Sequence, residues 1–183
     1  STGVPKGVKV THANILNYTH AIASIVGFDR YSTVGVLSTM ASDLGNTTIF
    51  TGLTLGKALC VIPHEIQLGG RIFSDYIKQN HVDCIKITPT HFKSLLDSES
   101  SSSYIHQIDV IFGGEPLDWS LVNDLKNPRI FNHYGPTETT VGVAVYEVTN
   151  NRQEHNIGLT VPIGKPLPHV EIHLVDAQMQ HVP

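Results

Sequence analysis

Short apolar runs rich in β-branched residues recur along the chain, and stretches with helical spacing separate them. Val34-Gly35-Val36-Leu37, Leu59-Cys60-Val61-Ile62, Cys84-Ile85-Lys86-Ile87, Ile108–Phe112 and Arg129-Ile130-Phe131-Asn132 read as strands. Between them, residues 12–27 place Ile15, Leu16, Tyr18, Ala21, Ile22 and Ile25 near helical spacing, with Gly27 as a stop. Residues 43–55 offer Leu44, Thr47, Ile49, Phe50 and Leu53 as a buried helix opening at Asp43. Gly70–Gln79 puts Ile72, Phe73, Tyr76 and Ile77 on one helical face, and Thr90–Leu96 and Trp119–Leu125 read as shorter helices. Val141–Val148 and the alternating Val170–Val175 add two more strands, while Ser98–Ser103 and Asn150–Thr160 read as polar loops. The alternation predicts an α/β fold, a mostly parallel sheet with flanking crossover helices plus a C-terminal β segment. In such sheets ligands gather beyond the carboxyl ends of the strands, so the residues just after each strand matter most.

Composition narrows the function classes. Of 183 residues, 40% are hydrophobic and 15% charged, a globular balance able to bury one sizeable core. A net charge of −4 without a basic block argues against nucleic-acid partners and against capture by an anionic membrane. No apolar run is long enough to span a bilayer, and the opening residues do not read as a charged-then-apolar signal pattern. Cys60 and Cys84 sit in apolar runs and read as reduced, buried thiols of a cytoplasmic protein. The 11 histidines are scattered, which favours surface or structural roles over metal ligation. Opening at Ser1 inside a Gly-Pro-Lys loop and stopping after a strand-like run, the chain reads as an excerpt of something longer.

Two stretches carry chemistry. Ser1-Thr2-Gly3-Val4-Pro5-Lys6-Gly7 combines hydroxyls, glycines and a lysine, as an anion-cradling loop does, although Lys6 precedes Gly7 and the P-loop order is absent. An ordinary turn explains the same composition. Asn132-His133-Tyr134-Gly135-Pro136-Thr137-Glu138-Thr139-Thr140 follows a strand and offers an aromatic face, hydroxyls and a carboxylate able to hold Mg²⁺. Its plain alternative is a Gly-Pro turn capping a helix through Thr137.

With Phe112-Gly113-Gly114-Glu115-Pro116-Leu117 between them, the two stretches closely resemble the adenylate-forming enzymes, and more narrowly the adenylation domain of a nonribosomal peptide synthetase. Ile87-Thr88-Pro89-Thr90 and the segment Pro162–Asp176 agree, so the resemblance covers residues 1–183. It implies part of the large N-terminal subdomain of an AMP-binding adenylation domain, without the C-terminal subdomain. The implied reaction joins ATP and an amino acid into an aminoacyl-adenylate, then passes the acyl group to phosphopantetheine on a carrier domain. Carrier and condensation domains of the same synthetase are the implied partners.

Mapped by that resemblance, Ser1, Thr2, Gly3, Lys6 and Gly7 would form the loop over the β- and γ-phosphates. Gly113, Gly114 and Glu115 would line the adenine pocket, with Tyr134 stacked on the base and Asn132 near its exocyclic amine. Thr137 would contact the α-phosphate and Glu138 would hold Mg²⁺, giving Thr137, Glu138 and Lys6 the catalytic roles. The family's ribose-binding Asp and its C-terminal lysine would lie beyond Pro183, so these residues alone should be inactive.

The same mapping places Asp43 opposite the substrate α-ammonium, although Ser42 and Thr47 replace the usual aromatic and tryptophan around it. Leu44, Thr47, Lys86, Ile111, Gly113, His133, Val141 and Gly142 would complete the acyl pocket. A buried lysine beside an imidazole calls for an anionic ligand. The set is similar to the pocket signature for L-aspartate, whereas the asparagine version carries an acidic residue where His133 stands. An asparagine-activating domain, an acyl- or aryl-CoA ligase and a non-catalytic nucleotide-binding module are the alternatives. Asp43 argues against the ligases, and Thr137 and Glu138 argue against the last.

Overall fold

The computed structural model describes residues 7–39, 41–96, 103–148 and 158–182. Its sheet forms where the sequence runs apolar. Strands β1 (Thr33–Val36), β2 (Ala58–Val61), β3 (Cys84–Ile87), β4 (Asp109–Phe112) and β5 (Ile130–Tyr134) are parallel. Strands β6 (Ala144–Glu147) and β7 (Lys165–Pro166) continue the sheet antiparallel, in the order β2-β1-β3-β4-β5-β6-β7. Helices α1 (His12–Val26), α2 (Asn46–Thr54), α3 (Gly70–Gln79), α4 (Pro89–Leu96) and α5 (Trp119–Asp124) occupy the connections.

Period-two alternation in the central strands sorts side chains onto two faces. Ile85, Ile87, Val110 and Phe112 point to one face and pack with Phe73, Ile77, Phe92, Leu95 and Val122 of α3, α4 and α5. Cys84, Ile111 and Phe131 point to the other and meet Tyr18, Ala21, Ile22 and Val26 of α1. The second face also receives Lys86 and His133, two residues along from Cys84 and Phe131. Burying a lysine and a histidine there is costly unless they are partnered.

Helix α1 begins at a reciprocal cap, with Thr11 accepting from the Asn14 amide and the Asn14 side chain accepting from Thr11 N. It ends at Gly27, the expected stop, whose φ of 76° places it in the left-handed region. A second polar anchor crosses the sheet: Tyr31 donates to Asp109 Oδ2 at 2.7 Å, and the Arg129 amide donates to Asp109 Oδ1 at 3.1 Å. Cys60 and Cys84 are free and buried thiols, and burial pushes both pKa values up. Among the described residues no helix is long and apolar enough to cross a membrane.

Several expectations change. Phe50 and Leu53 are 36% and 61% exposed, while Thr48, Thr51 and Gly52 face inward. The reason is close packing, because a Cβ on Gly52 would collide with Leu59 and crowd Val34. Ile72 on α3 also faces outward. Among the described residues the segment Val170–Val175 forms no ladder despite its alternation; an isolated bridge joins Val175 to His181. The C-terminal β segment is instead Lys165–Pro166, paired with Ala144–Val145. The strand expected from Val141 starts at Ala144, because Thr140 and Val141 have φ of 67° and 65° and cannot extend the ladder.

Candidate active site

The carboxyl ends of β3, β4 and β5 converge on one cluster of polar side chains. Lys86, the third residue of β3, is 3% exposed. Its Nζ donates to Thr47 Oγ1 on α2 at 2.6 Å and lies 3.1 Å from His133 Nδ1 on β5. Tyr18 on α1 completes the group, its hydroxyl 2.6 Å from Thr47 Oγ1 and 3.1 Å from His133 Nε2. Burial pulls the Lys86 pKa down to about 7, with Asp43 pulling the other way. Burial and the Lys86 charge together hold His133 well below the usual imidazole range, so it is neutral.

Asp43 opens a 3₁₀ turn after β1, and Ser42 caps that turn by accepting from the Leu44 amide at 3.4 Å. The Asp43 Oδ2 atom is buried without a hydrogen-bond partner, an arrangement that calls for a donor. Gly113, just beyond β4, keeps the space between these groups open. A Cβ there would sit 3.1 Å from Lys86 Cε and 3.4 Å from Leu44 Cδ1. Gly142 underlies the histidine, since any side chain on it would overlap the His133 ring. Gly135 and Gly142 are likewise backed against each other too closely for a Cβ on Gly135. Ile111 is fully buried and Val141 is 7% exposed, so both belong to the apolar core beneath the cluster.

Beside β5 lies a cavity of about 360 Å³. Gly114, Tyr134 and Asn132 border it, with Leu117, Val161 and Ile163 as apolar wall, a lining suited to a planar heteroaromatic group. Tyr134 is 47% exposed and presents its ring at the mouth. Asn132 Nδ2 donates to Val161 O and Pro162 O, which fixes the amide and leaves its carbonyl as an acceptor. Glu115 also borders the cavity. Its Oε2 accepts from the Thr90 amide at 3.0 Å, and hydrogen bonds from Thr90, its side chain foremost, lower the Glu115 pKa.

Thr137–Thr139 form an exposed 3₁₀ turn whose N-cap is Pro136, with no side-chain cap. Thr137 therefore does not cap a helix. Thr137 and Glu138 stand on one exposed turn directly after Tyr134, able to meet phosphate and a phosphate-borne Mg²⁺. Gly7 is exposed, while Ser1, Thr2, Gly3 and Lys6 lie outside the described residues.

The residue missed from the sequence is Tyr18, read there only as part of an apolar helix face. The available signal was chemical: a buried tyrosine places its hydroxyl against a partner.

Comparison with known proteins gives a consistent placement. The family model described as AMP-binding enzyme matches residues 1–183. Tyrocidine synthase 3 of Brevibacillus parabrevis is 36% identical over 196 residues, covering 100% of this chain and 3% of its own length. Bacitracin synthase 3 of Bacillus licheniformis is 31% identical over 190 residues, covering 100% of this chain and 3% of its own. The chain thus spans a small part of these relatives. Among solved structures, a four-domain nonribosomal peptide synthetase bound to AMP and glycine superposes with a TM-score of 0.85 at 28% identity, over 100% of this chain and 13% of that one. Sheet order and full-length family match agree: the chain belongs to the AMP-binding enzyme family, and along its whole length it is similar to nonribosomal peptide synthetases.

Proposed function

We propose that these residues form the acyl and adenine sites of a ligase that activates L-aspartate as aspartyl-AMP. The observation that carries the reading is one buried cluster holding opposite charges for the two ends of the ligand. Asp43 Oδ2, buried and unpartnered, suits an α-ammonium. Lys86 with Thr47, Tyr18 and His133 suits a side-chain carboxylate.

Counting hydrogens sharpens this. With Lys86 protonated and His133 neutral, the four side chains own six polar hydrogens between them. Their four mutual hydrogen bonds use four of these. One ammonium N–H and one hydroxyl hydrogen remain, and a carboxylate accepts both. An amide would set its own NH₂ against a group of donors, which disfavours asparagine.

In the reaction, a carboxylate oxygen of the amino acid attacks the α-phosphorus of ATP. The bond to the bridging oxygen of the β-phosphate breaks, and pyrophosphate leaves. The chain's part is to place the reactants. Tyr134 and the cavity beside it would hold the adenine, Asn132 its amine, and Thr137 the α-phosphate. Lys6, Ser1, Thr2, Gly3 and Gly7 would cover the outer phosphates, and Gly113 and Gly114 would let backbone and ligand approach closely. Glu138 would hold Mg²⁺, which would supply charge neutralisation. The aspartyl group would pass to phosphopantetheine on a carrier domain of the same synthetase, beside a condensation domain. Free Cys60 and Cys84 suit a cytoplasmic setting.

The test is ATP–pyrophosphate exchange by the full-length enzyme carrying this chain, with aspartate, asparagine and glutamate supplied separately. Aspartate is expected to give the highest exchange. Exchange with aspartate no greater than with the other two refutes the pocket reading.

A further inference from the structure

Lys86, Thr47, Tyr18 and His133 form a closed ring of hydrogen bonds. A ring of this kind ties each proton's position to the others. The Lys86 ammonium only donates, so the nitrogen it faces, His133 Nδ1, must be bare. The single imidazole hydrogen is then on Nε2 and is donated to the Tyr18 oxygen. That phenol is 2% exposed, and its ring meets the imidazole edge-on at 5.9 Å between centroids, so neither group turns away freely.

We propose that Tyr18 is a positioning residue that determines specificity: by accepting from Nε2 it fixes the His133 tautomer, which keeps Nδ1 as an acceptor and aims the Lys86 ammonium at an anionic substrate side chain. Without the phenol oxygen, the Nε2–H has no partner. Moving the hydrogen to Nδ1 would then set a donor against the ammonium, which would turn away or lose its proton. The charged and titratable groups around the ring are Asp43, Lys86, His133 and Tyr18, and burial with the nearby Asp43 raises the Tyr18 pKa, so it stays a phenol. The inference deepens the aspartate reading and rests on it.

The test compares wild type with Tyr18→Phe in the full-length enzyme, a change that removes one oxygen and keeps the ring. Aspartate kcat/KM is expected to fall about 30-fold, mostly in KM, as expected for losing a charge-assisted contact. The KM for ATP stays put, and the aspartate-to-asparagine ratio drops at least tenfold. The alkaline limb of the aspartate pH profile moves to lower pH, since Lys86 has lost an acceptor. In a His133→Asn background the same substitution has no further effect on the ratio. An ATP-induced thermal shift equal to wild type establishes that the variant folds.

A purely structural role would lower exchange with both amino acids alike and leave the ratio and the limb unmoved. That result overturns the inference while leaving the aspartate reading intact. A wild-type enzyme that activates no acidic amino acid overturns both.

Discussion

Replacing Lys86 by Met should stabilise the empty enzyme while destroying its use of aspartate. Burial lowers the Lys86 pKa from 10.5 to about 7. At pH 7 that depression means the lysine costs the folded state roughly 4 kcal/mol relative to the unfolded chain. Methionine fills similar volume without charge, but it forfeits the bonds to Thr47 and His133. At about 1 kcal/mol each, their loss leaves a net gain of about 2 kcal/mol. For a cooperative unit of 150–250 residues this corresponds to about 4–8 °C in Tm, and less for a larger unit.

The assay is thermal unfolding of the ligand-free full-length enzyme at several pH values. The sign follows from linkage. A lysine depressed in the folded state exerts its full penalty below pH 7 and progressively less as pH rises toward its unfolded pKa. The advantage of Lys86→Met should therefore be largest at pH 6–7 and shrink by pH 9. A Tm below wild type throughout that range would refute the reasoning, because it would mean the ammonium is net favourable in the empty pocket.

Further outcomes follow from the same geometry. Aspartate kcat/KM should fall as pH rises above about 7, where the free enzyme loses the Lys86 proton; His133, held neutral, adds no break of its own. A pH profile of the exchange reaction checks this against the KM for ATP, which should not follow the same limb. Gly142→Ala should displace the His133 ring and destabilise by about 1–3 kcal/mol, with aspartate exchange reduced far more than ATP binding. Tyr31→Phe should remove a donor from buried Asp109 and lower stability by about 1–3 kcal/mol, with the amino-acid preference unchanged in exchange assays.

Much of this architecture was legible because strand and helix periods differ. The runs around Val34, Cys84, Ile111 and Phe131 became the central strands. Asp43, Lys86 and His133 were brought together by the resemblance, and their contacts bear on its chemistry. Tyr18 escaped because a helix face of Ile, Ala and Tyr reads as core whether or not the phenol oxygen has work to do.

Other misses have packing causes. Thr48, Thr51 and Gly52 face inward where Phe50 and Leu53 were expected, because α2 lies too close to the sheet for large side chains. Val170–Val175 alternates as a strand does, but no strand among the described residues lies alongside it, and pairing is a property of two segments. Glu115 borders the cavity beside Tyr134, and its Oε2 also accepts from the Thr90 amide. Its commitment to the Thr90 amide depends on how β4 meets α4, which no local pattern records.

The central claim is that Lys86 and His133 select a side-chain carboxylate while Asp43 holds the α-ammonium. The most direct measurement offers the full-length enzyme ATP, Mg²⁺ and an equimolar mixture of the twenty amino acids, and identifies the adenylates by mass spectrometry. Aspartyl-AMP is expected as the main product. Asparaginyl-AMP, glutamyl-AMP or an apolar aminoacyl-AMP in its place would contradict it.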